Sequence, residues 1–412
     1  MDTDVTEAGQ NATNRGSDDD EGIFATVAVI GAGAMGSGIA QVAATAGHRV
    51  VLVDPVIGAA VEARQRIEAA LDRLESKGRI SREHAEATLE RLVASESVHE
   101  LPECGLVIEA VPEDLHLKRR LFADLSERQP ANTVLATNTS SIDIDDIARD
   151  VIDPERVLGL HFFNPPPVMA LVEVVHGEVT SPAFVEHVTA LMRAWGKTPV
   201  RCASTPGFIV NRVARPFYGE AQRIVEAGVA DAATVDWVLR ERGGFPMGPL
   251  ELTDFIGQDV NLAVGTSVWE QTGHDERYTP TDFQRRLVEA GTLGRKTGKG
   301  VYTYAADGSV ERPEPDLELA GRLVGGPVAT DPLARTVAML VNEAVGLVHR
   351  GEASAEDVDT AMRLGVRYPR GPIEWGGEIG FDVVAAQIAE LDAAFPGGRY
   401  RPSPALTDGS LR

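Results

Sequence analysis

His161 and Glu173 are the first residues whose types and spacing suggest chemistry. Each stands in an apolar run, VLGLHFF at 157–163 and VMALVEVV at 168–175. A carboxylate among valines is costly unless it has a partner. Asn164-Pro165-Pro166-Pro167 joins the two runs, so they read as a hairpin-like pair of strands that brings Glu173 beside His161. A carboxylate that orients an imidazole and stabilises its protonated form makes it a general base. Taken alone, a histidine at the end of an apolar strand reads as a satisfied core residue. An upstream motif changes that reading.

Gly31-Ala32-Gly33-Ala34-Met35-Gly36 follows the apolar run at 26–30 and opens a helical stretch. In that setting the first glycine permits a tight turn and the second lets backbone N–H groups reach a pyrophosphate. The third allows close helix–strand packing, and the helix N-terminus faces the anion. Asp54 ends the next strand, 18 residues after Gly36. A carboxylate there accepts hydrogen bonds from ribose hydroxyls and repels a 2′-phosphate. No arginine follows it directly, so the expected cofactor is NAD rather than NADP. A nicotinamide accepts a hydride from carbon, and a histidine takes the proton from oxygen. Together these make an alcohol oxidation.

Two polar groups stand where a substrate would meet them. Asn138-Thr139-Ser140-Ser141 follows a strand. It reads as an N-cap cluster and, at a strand's C-terminal end, as a ligand-binding position in a doubly wound sheet. Asn211, in TPGFIVNR at 205–212, opens the helical part of the chain and can offer its amide from the opposite wall.

The elements that position these groups follow from periodicity. Strands are expected at 26–30, 48–53, 106–109 and 133–137, and a helix at 35–46. Helical spacing runs over 58–95, with Ile67, Leu71 and Leu74 at i, i+4 and i+7. Alternating strands and helices imply an α/β fold with a doubly wound parallel sheet, the 157–175 pair at its end. From Ile209 the pattern is mostly helical. Residues 305–330, rich in Pro, Gly and acid, read as a linker. The helical part repeats itself. Shifted by 123 positions, residues 219–260 fall on 342–383 without a gap, and Gly248-Pro249 meets Gly371-Pro372. Coinciding Gly and Pro fix turns at the same places, so both copies should share one helical fold.

Composition sets the partners. The net charge is −23, with 62 acidic against 39 basic residues. Such a chain repels nucleic-acid phosphates and anionic membranes. No apolar run approaches the ~20 residues that would span a bilayer. Cys104 and Cys202 are the two cysteines, which suits a reducing cytoplasm. Residues 1–22 read as a disordered acidic tail and not as a signal peptide, having no apolar segment. The basic residues divide into 34 Arg and 5 Lys. That bias fits either an Arg-rich coding preference or adaptation to high salt.

In these motifs the chain resembles the L-3-hydroxyacyl-CoA dehydrogenase family, the 3-hydroxybutyryl-CoA type in particular. The motifs are GAGAMGSGIA, IEAVPEDLHLK, NTSS, HFFNPPPVMALVEVV, TPGFIVNR, GPLELTDFIGQD and GRKTGKGVY, in that order over 23–310. The resemblance implies a Rossmann-like domain at 23–205 and a helical substrate domain at 206–310. A linker at 311–330 and a second helical copy at 331–412 would follow, both copies of the 6-phosphogluconate-dehydrogenase type. It implies that His161 is the base, with Glu173 its partner. Ser140 and Asn211 would contact substrate, and Asn164 would shape the site. Asn138 and Ser140 would also line the cofactor pocket. Glu113 and Lys118 match positions near the nicotinamide ribose, and Lys296 matches a residue closing over the cofactor. Lys77 matches a lysine that meets the CoA phosphates, although Ala70 replaces that lysine's usual serine partner. No metal is implied. Short family members dimerise through the helical domain, so the chain is expected as a homodimer, or as a monomer whose two copies form an internal pseudo-dimer. The alternatives are an NAD-dependent dehydrogenase of a free hydroxy acid or sugar acid, and an NAD-binding protein without turnover.

Overall fold

The structure is a computed structural model describing residues 24–408. The expected acidic tail at 1–22 and the last four residues of the second helical copy lie outside them. An eight-stranded sheet runs in the order β3-β2-β1-β4-β5-β6-β7-β8. Its strands are β1 (Thr26–Ile30), β2 (Arg49–Val53), β3 (Leu92–Ser95), β4 (Leu106–Glu109), β5 (Val134–Thr137), β6 (Val157–Phe162), β7 (Leu171–His176) and β8 (Thr198–Ala203). All neighbours are parallel except β6 and β7, which pair antiparallel. The strand order reverses between β1 and β4, and ligands bind at such a crevice.

Two expectations need correction. The β6–β7 pair does not end the sheet, because β8 lies beyond it. The helical stretch read over 58–95 divides into helices Ala59–Ser76 and Arg82–Glu90, followed by β3. The segment read as a linker carries strand Val310–Glu311 and helix Leu317–Leu323.

Both faces of the sheet are covered, and alternation along the strands feeds two cores. Leu158, Leu160, Phe162, Val172 and Val174 pack on one side with helices Ala34–Thr45 and Pro182–Ala194. Val157, Leu171 and Val175 pack on the other, with the helical part of the chain. Side chains alternate with a period of two, so His161 and Glu173 point toward the helical side.

The repeat has a structural counterpart. Helices Pro249–Ile256 and Gln258–Gln271 lie 123 residues before helices Pro372–Ile379 and Phe381–Ala394, end for end. Asp236 accepts from the N–H groups of Leu250 and Glu251, and Asp359 from those of Ile373 and Glu374. Each carboxylate thus satisfies orphan donors at the same helix start. The copies differ where proline intervenes. Pro332–His349 is one helix, whereas the equivalent stretch divides into Val210–Val213 and Arg215–Glu226. Pro216, without an N–H, stands at that break and Met339 at its counterpart.

The copies grip each other reciprocally. Glu220 accepts from Arg335, Arg399 and Tyr400 at 2.6–3.0 Å. Glu343 accepts from Arg212, Arg277 and Tyr278 at 2.6–3.2 Å. Both carboxylates are buried.

Candidate active site

The glycine loop caps β1. Gly31 adopts φ +104°, and a Cβ there would come 2.5 Å from the Ala110 carbonyl oxygen. A Cβ on Gly36 would run into the Gly31 carbonyl. Gly33 is different: a Cβ would meet nothing within 4 Å. Gly33 and Ala34 are exposed, Met35 partly so, and no side chain caps the helix they begin. Open space before uncapped N–H groups fits a pyrophosphate. Asp54 accepts from Ala32 N–H at 2.8 Å and Val56 N–H at 3.0 Å, which holds its carboxylate against the loop. We expect Gly33→Val to fold with a cost of about 1 kcal/mol at the cap and to weaken NAD binding at least tenfold. Calorimetry showing unchanged affinity would take the pyrophosphate off this loop.

The imidazole–carboxylate pair is in register across β6 and β7. His161 Nδ1 lies 2.6 Å from Glu173 Oε2. Oε1 of Glu173 accepts from Ile209 and Val210 N–H at 3.1 and 2.9 Å. The carboxylate therefore holds the imidazole with one oxygen and, with the other, the start of the short helix that carries Asn211. This is the partner that an acid among valines requires. The His161 ring lies 4.6 Å from that of Phe163 and 5.9 Å from that of Phe208.

Ser140 is held by its main chain from both walls. Its N–H donates to Glu113 at 3.1 Å, and its carbonyl accepts from Asn211 Nδ2 at 3.5 Å. Its hydroxyl has no partner among the described residues. Glu113 also accepts from the hydroxyls of Thr139 at 2.5 Å and Ser141 at 3.3 Å. Burial pushes Glu113 up, but Lys118 and these hydrogen bonds outweigh it and hold the carboxyl below its ordinary range. Asn138 Oδ1 accepts from Phe162 N–H at 2.9 Å, tying this loop to the end of β6. Asn164 is exposed at the turn after β6.

Lys118 is 1% exposed, with Nζ 2.7 Å from Glu109 and 3.2 Å from Glu113. Through Glu113 its charge is linked to the loop at 139–141. Lys296 donates to both oxygens of Asp259 at 2.6 and 2.7 Å, within the helical part. That bond holds the Asp259 carboxyl below its ordinary range. Lys77 is exposed beyond helix Ala59–Ser76 and makes no ion pair among the described residues. Glu109 went unnoticed in the sequence, although it is fully buried at the end of β4 and also accepts from Thr137 Oγ1 at 2.7 Å. The signal was the one that marks Glu173, an acid closing an apolar strand.

A doubly wound sheet with this loop, this acid and this imidazole pair defines an NAD-dependent dehydrogenase. Comparison with known proteins makes the class specific. The model of the 3-hydroxyacyl-CoA dehydrogenase NAD-binding domain matches residues 26–205, and that of the C-terminal domain matches 207–304 and 333–409. The chain belongs to the 3-hydroxyacyl-CoA dehydrogenase family of NAD-dependent oxidoreductases. It is 42% identical to the 3-hydroxyadipyl-CoA dehydrogenase of Escherichia coli K12, over 94% of this chain and 97% of the relative. A crystal structure of 3-hydroxybutyryl-CoA dehydrogenase from Escherichia coli K12 is 41% identical with a TM-score of 0.86, covering 94% of this chain and 98% of the other. Human mitochondrial hydroxyacyl-coenzyme A dehydrogenase is 39% identical over 68% of this chain and 90% of its own length.

Proposed function

We propose that this chain oxidises (3S)-3-hydroxyacyl-CoA, 3-hydroxybutyryl-CoA among them, to 3-oxoacyl-CoA, reversibly, in fatty-acid β-oxidation or butanoate metabolism. The 2.6 Å contact between His161 and Glu173 carries this reading. With Nδ1–H donated to the carboxylate, Nε2 is left to take the proton of the C3 hydroxyl. Glu173 stabilises the imidazolium that results. Bound NAD supplies the acceptor for the hydride from C3. Gly31, Gly33, Ala34, Met35, Gly36 and Asp54 hold its pyrophosphate and adenosine ribose, with Asn138 and Glu113 near the nicotinamide end. The Ser140 hydroxyl and Asn211 amide hold substrate oxygens, and Asn164 bounds the pocket. Lys77 meets the CoA phosphates, whose binding energy remote from C3 helps position the reacting carbon. Two buried free thiols suit a cytoplasmic enzyme.

The helical part divides by role. The first copy carries Asn211 and the GRKTGKG segment, and the second has Ala334 in place of Asn211 and no such segment. Both are the same helical domain, and the second covers the surface a partner subunit would cover. The reciprocal grip supports this internal pseudo-dimer. Arg212 and Arg335 are 123 residues apart, as are Glu220 and Glu343. A two-fold related contact has that form.

Initial rates with NAD decide the substrate class. Turnover of 3-hydroxybutyryl-CoA without turnover of free 3-hydroxybutyrate is the expected outcome. The reverse would move the protein to the free hydroxy-acid dehydrogenases.

A further inference from the structure

The seam between the two helical copies holds more cations than acids. Arg212, Arg215, Arg223, Arg277, Arg335 and Arg399 stand there, and the carboxylates paired with them are Glu220, Glu343 and Glu352. Glu220 serves Arg335 and Arg399 together, and Glu343 serves Arg212 and Arg277. Arg215 and Arg223 meet main-chain carbonyls instead, and neither has an ion pair among the described residues. The chain as a whole has a net charge of −23, so this excess of positive charge is local.

Arg215 donates Nε to the Asn211 carbonyl at 2.8 Å and Nη1 to the Asn261 carbonyl at 3.3 Å. A guanidinium has five N–H donors, so most of its capacity is left. It lines a cavity of about 30 Å³ with Gln222, Asn261, Arg277, Gln284 and Arg399, and no Asp or Glu lines it. Arg399 comes from the second copy and the others from the first. Gln222 is 2% exposed and Arg277 7%. Gln222 Oε1 accepts from the Thr281 hydroxyl at 2.6 Å, but its Nε2 has no partner, and Arg277 Nε has none either. Both of these unpartnered buried atoms are donors. The repeat shows that the helical fold itself does not require such groups. At the 123-residue shift Arg215 meets Ala338 and Gln222 meets Val345, both apolar and fully buried. The second copy has hydrocarbon where the first has donors around a cavity.

We propose that this cavity binds one halide ion, chloride in solution, and that the ion bridges the two helical copies. The space admits a single small particle and is too small for phosphate, sulfate or a carboxylate. A water molecule there would leave the charge of Arg215 uncompensated, and an anion compensates it. Unmade bonds at buried donors are costly, and bonds from charged donors to an anion are among the strongest a protein makes. Arg215, Arg277 and the Gln222 amide supply the shell from the first copy, and Arg399 closes it from the second. The ion thereby adds to the grip that Glu220 and Glu343 provide. The site is separate from the reacting end and holds whatever thioester the enzyme oxidises.

The test is thermal unfolding of the full chain in sodium chloride and in sodium acetate of equal concentration. Both salts screen surface charge alike, but acetate is too large for the cavity. Chloride is expected to raise Tm above the acetate value along a saturating curve, by about 3–5 °C at a hundred times its Kd. Arg215→Met is expected to abolish that increment. Gln222→Glu places a fixed carboxylate among the same arginines, so it is expected to raise Tm in acetate and to remove the response to chloride. Crystals grown in sodium bromide are expected to show an anomalous peak in contact with Arg215, Gln222 and Arg277. Equal Tm of wild type in the two salts, a chloride increment that survives in Gln222→Glu, or a bromide map without a peak in the cavity overturns the inference. Should Arg215→Met fail to fold, Gln222→Glu and the bromide map decide it.

Discussion

Replacing His161 with Gln is expected to lower kcat with 3-hydroxybutyryl-CoA by about 10²–10⁴, the usual worth of general base catalysis. KM values for NAD and thioester should stay within a few-fold, because Gln is polar and of similar size. Glu173→Gln is expected to fall in the same range for a different reason. Its carbonyl oxygen can still accept from Ile209 and Val210, as the carboxylate does. Its amide then faces His161 Nδ1, now 2.6 Å from a carboxylate oxygen. Nδ1 must accept that N–H, which puts the ring proton on Nε2 and leaves no base toward the cleft. Initial-rate NADH formation measures both variants. A Glu173→Gln enzyme with wild-type kcat would show that the carboxylate serves folding and not the imidazole.

The second large effect concerns stability. Burial pushes Glu220 up, but Arg399 and Arg335 outweigh it and bring it to about 2 from an ordinary 4.5. Glu343 falls to about 2 likewise, Arg212 and Arg277 outweighing burial. A lowered folded-state value contributes stability that is present above 4.5 and lost as pH falls through about 2. Each shift is worth on the order of 3 kcal/mol. Acid unfolding should therefore begin below about pH 4.5 with separation of the helical copies. At neutral pH, Glu220→Gln leaves Arg335 and Arg399 buried without a counter-charge, and Glu343→Gln leaves Arg277 so while Arg212 keeps Glu352, at an expected cost of about 3–5 kcal/mol each. Glu86→Gln, at the exposed ion pair with Arg82, should leave stability nearly unchanged. Urea unfolding compares the three. Equal stability of Glu343→Gln and Glu86→Gln would mean that the reciprocal network does not hold the copies together.

The two strands absent from the sequence reading, β3 and β8, are the edges of the sheet. LVAS has four residues, and TPVRCA carries Pro199 and Arg201. Edge strands tolerate Pro and charge because one side of their backbone needs no ladder partner. They therefore lack the apolar continuity that marks the central strands. The partners of Lys118 and Lys296 were not legible for another reason: which carboxylates an ammonium meets depends on what folds beside it.

What the sequence determined by itself was local or periodic. The glycine loop, Asp54, the four apolar strands that precede the hairpin, the hairpin joining His161 to Glu173 and the 123-residue repeat all lie within short windows or a fixed shift. Backbone sterics and side-chain alternation act at that range. Tertiary structure alone decided which face of the sheet receives His161, how Glu173 also caps the helix bearing Asn211, and which arginines find carboxylates. Those outcomes depend on groups more than thirty, and in places more than a hundred, residues apart. In a low-dielectric interior, the pairing that leaves fewest charges uncompensated prevails, and only the assembled fold brings the candidates within reach.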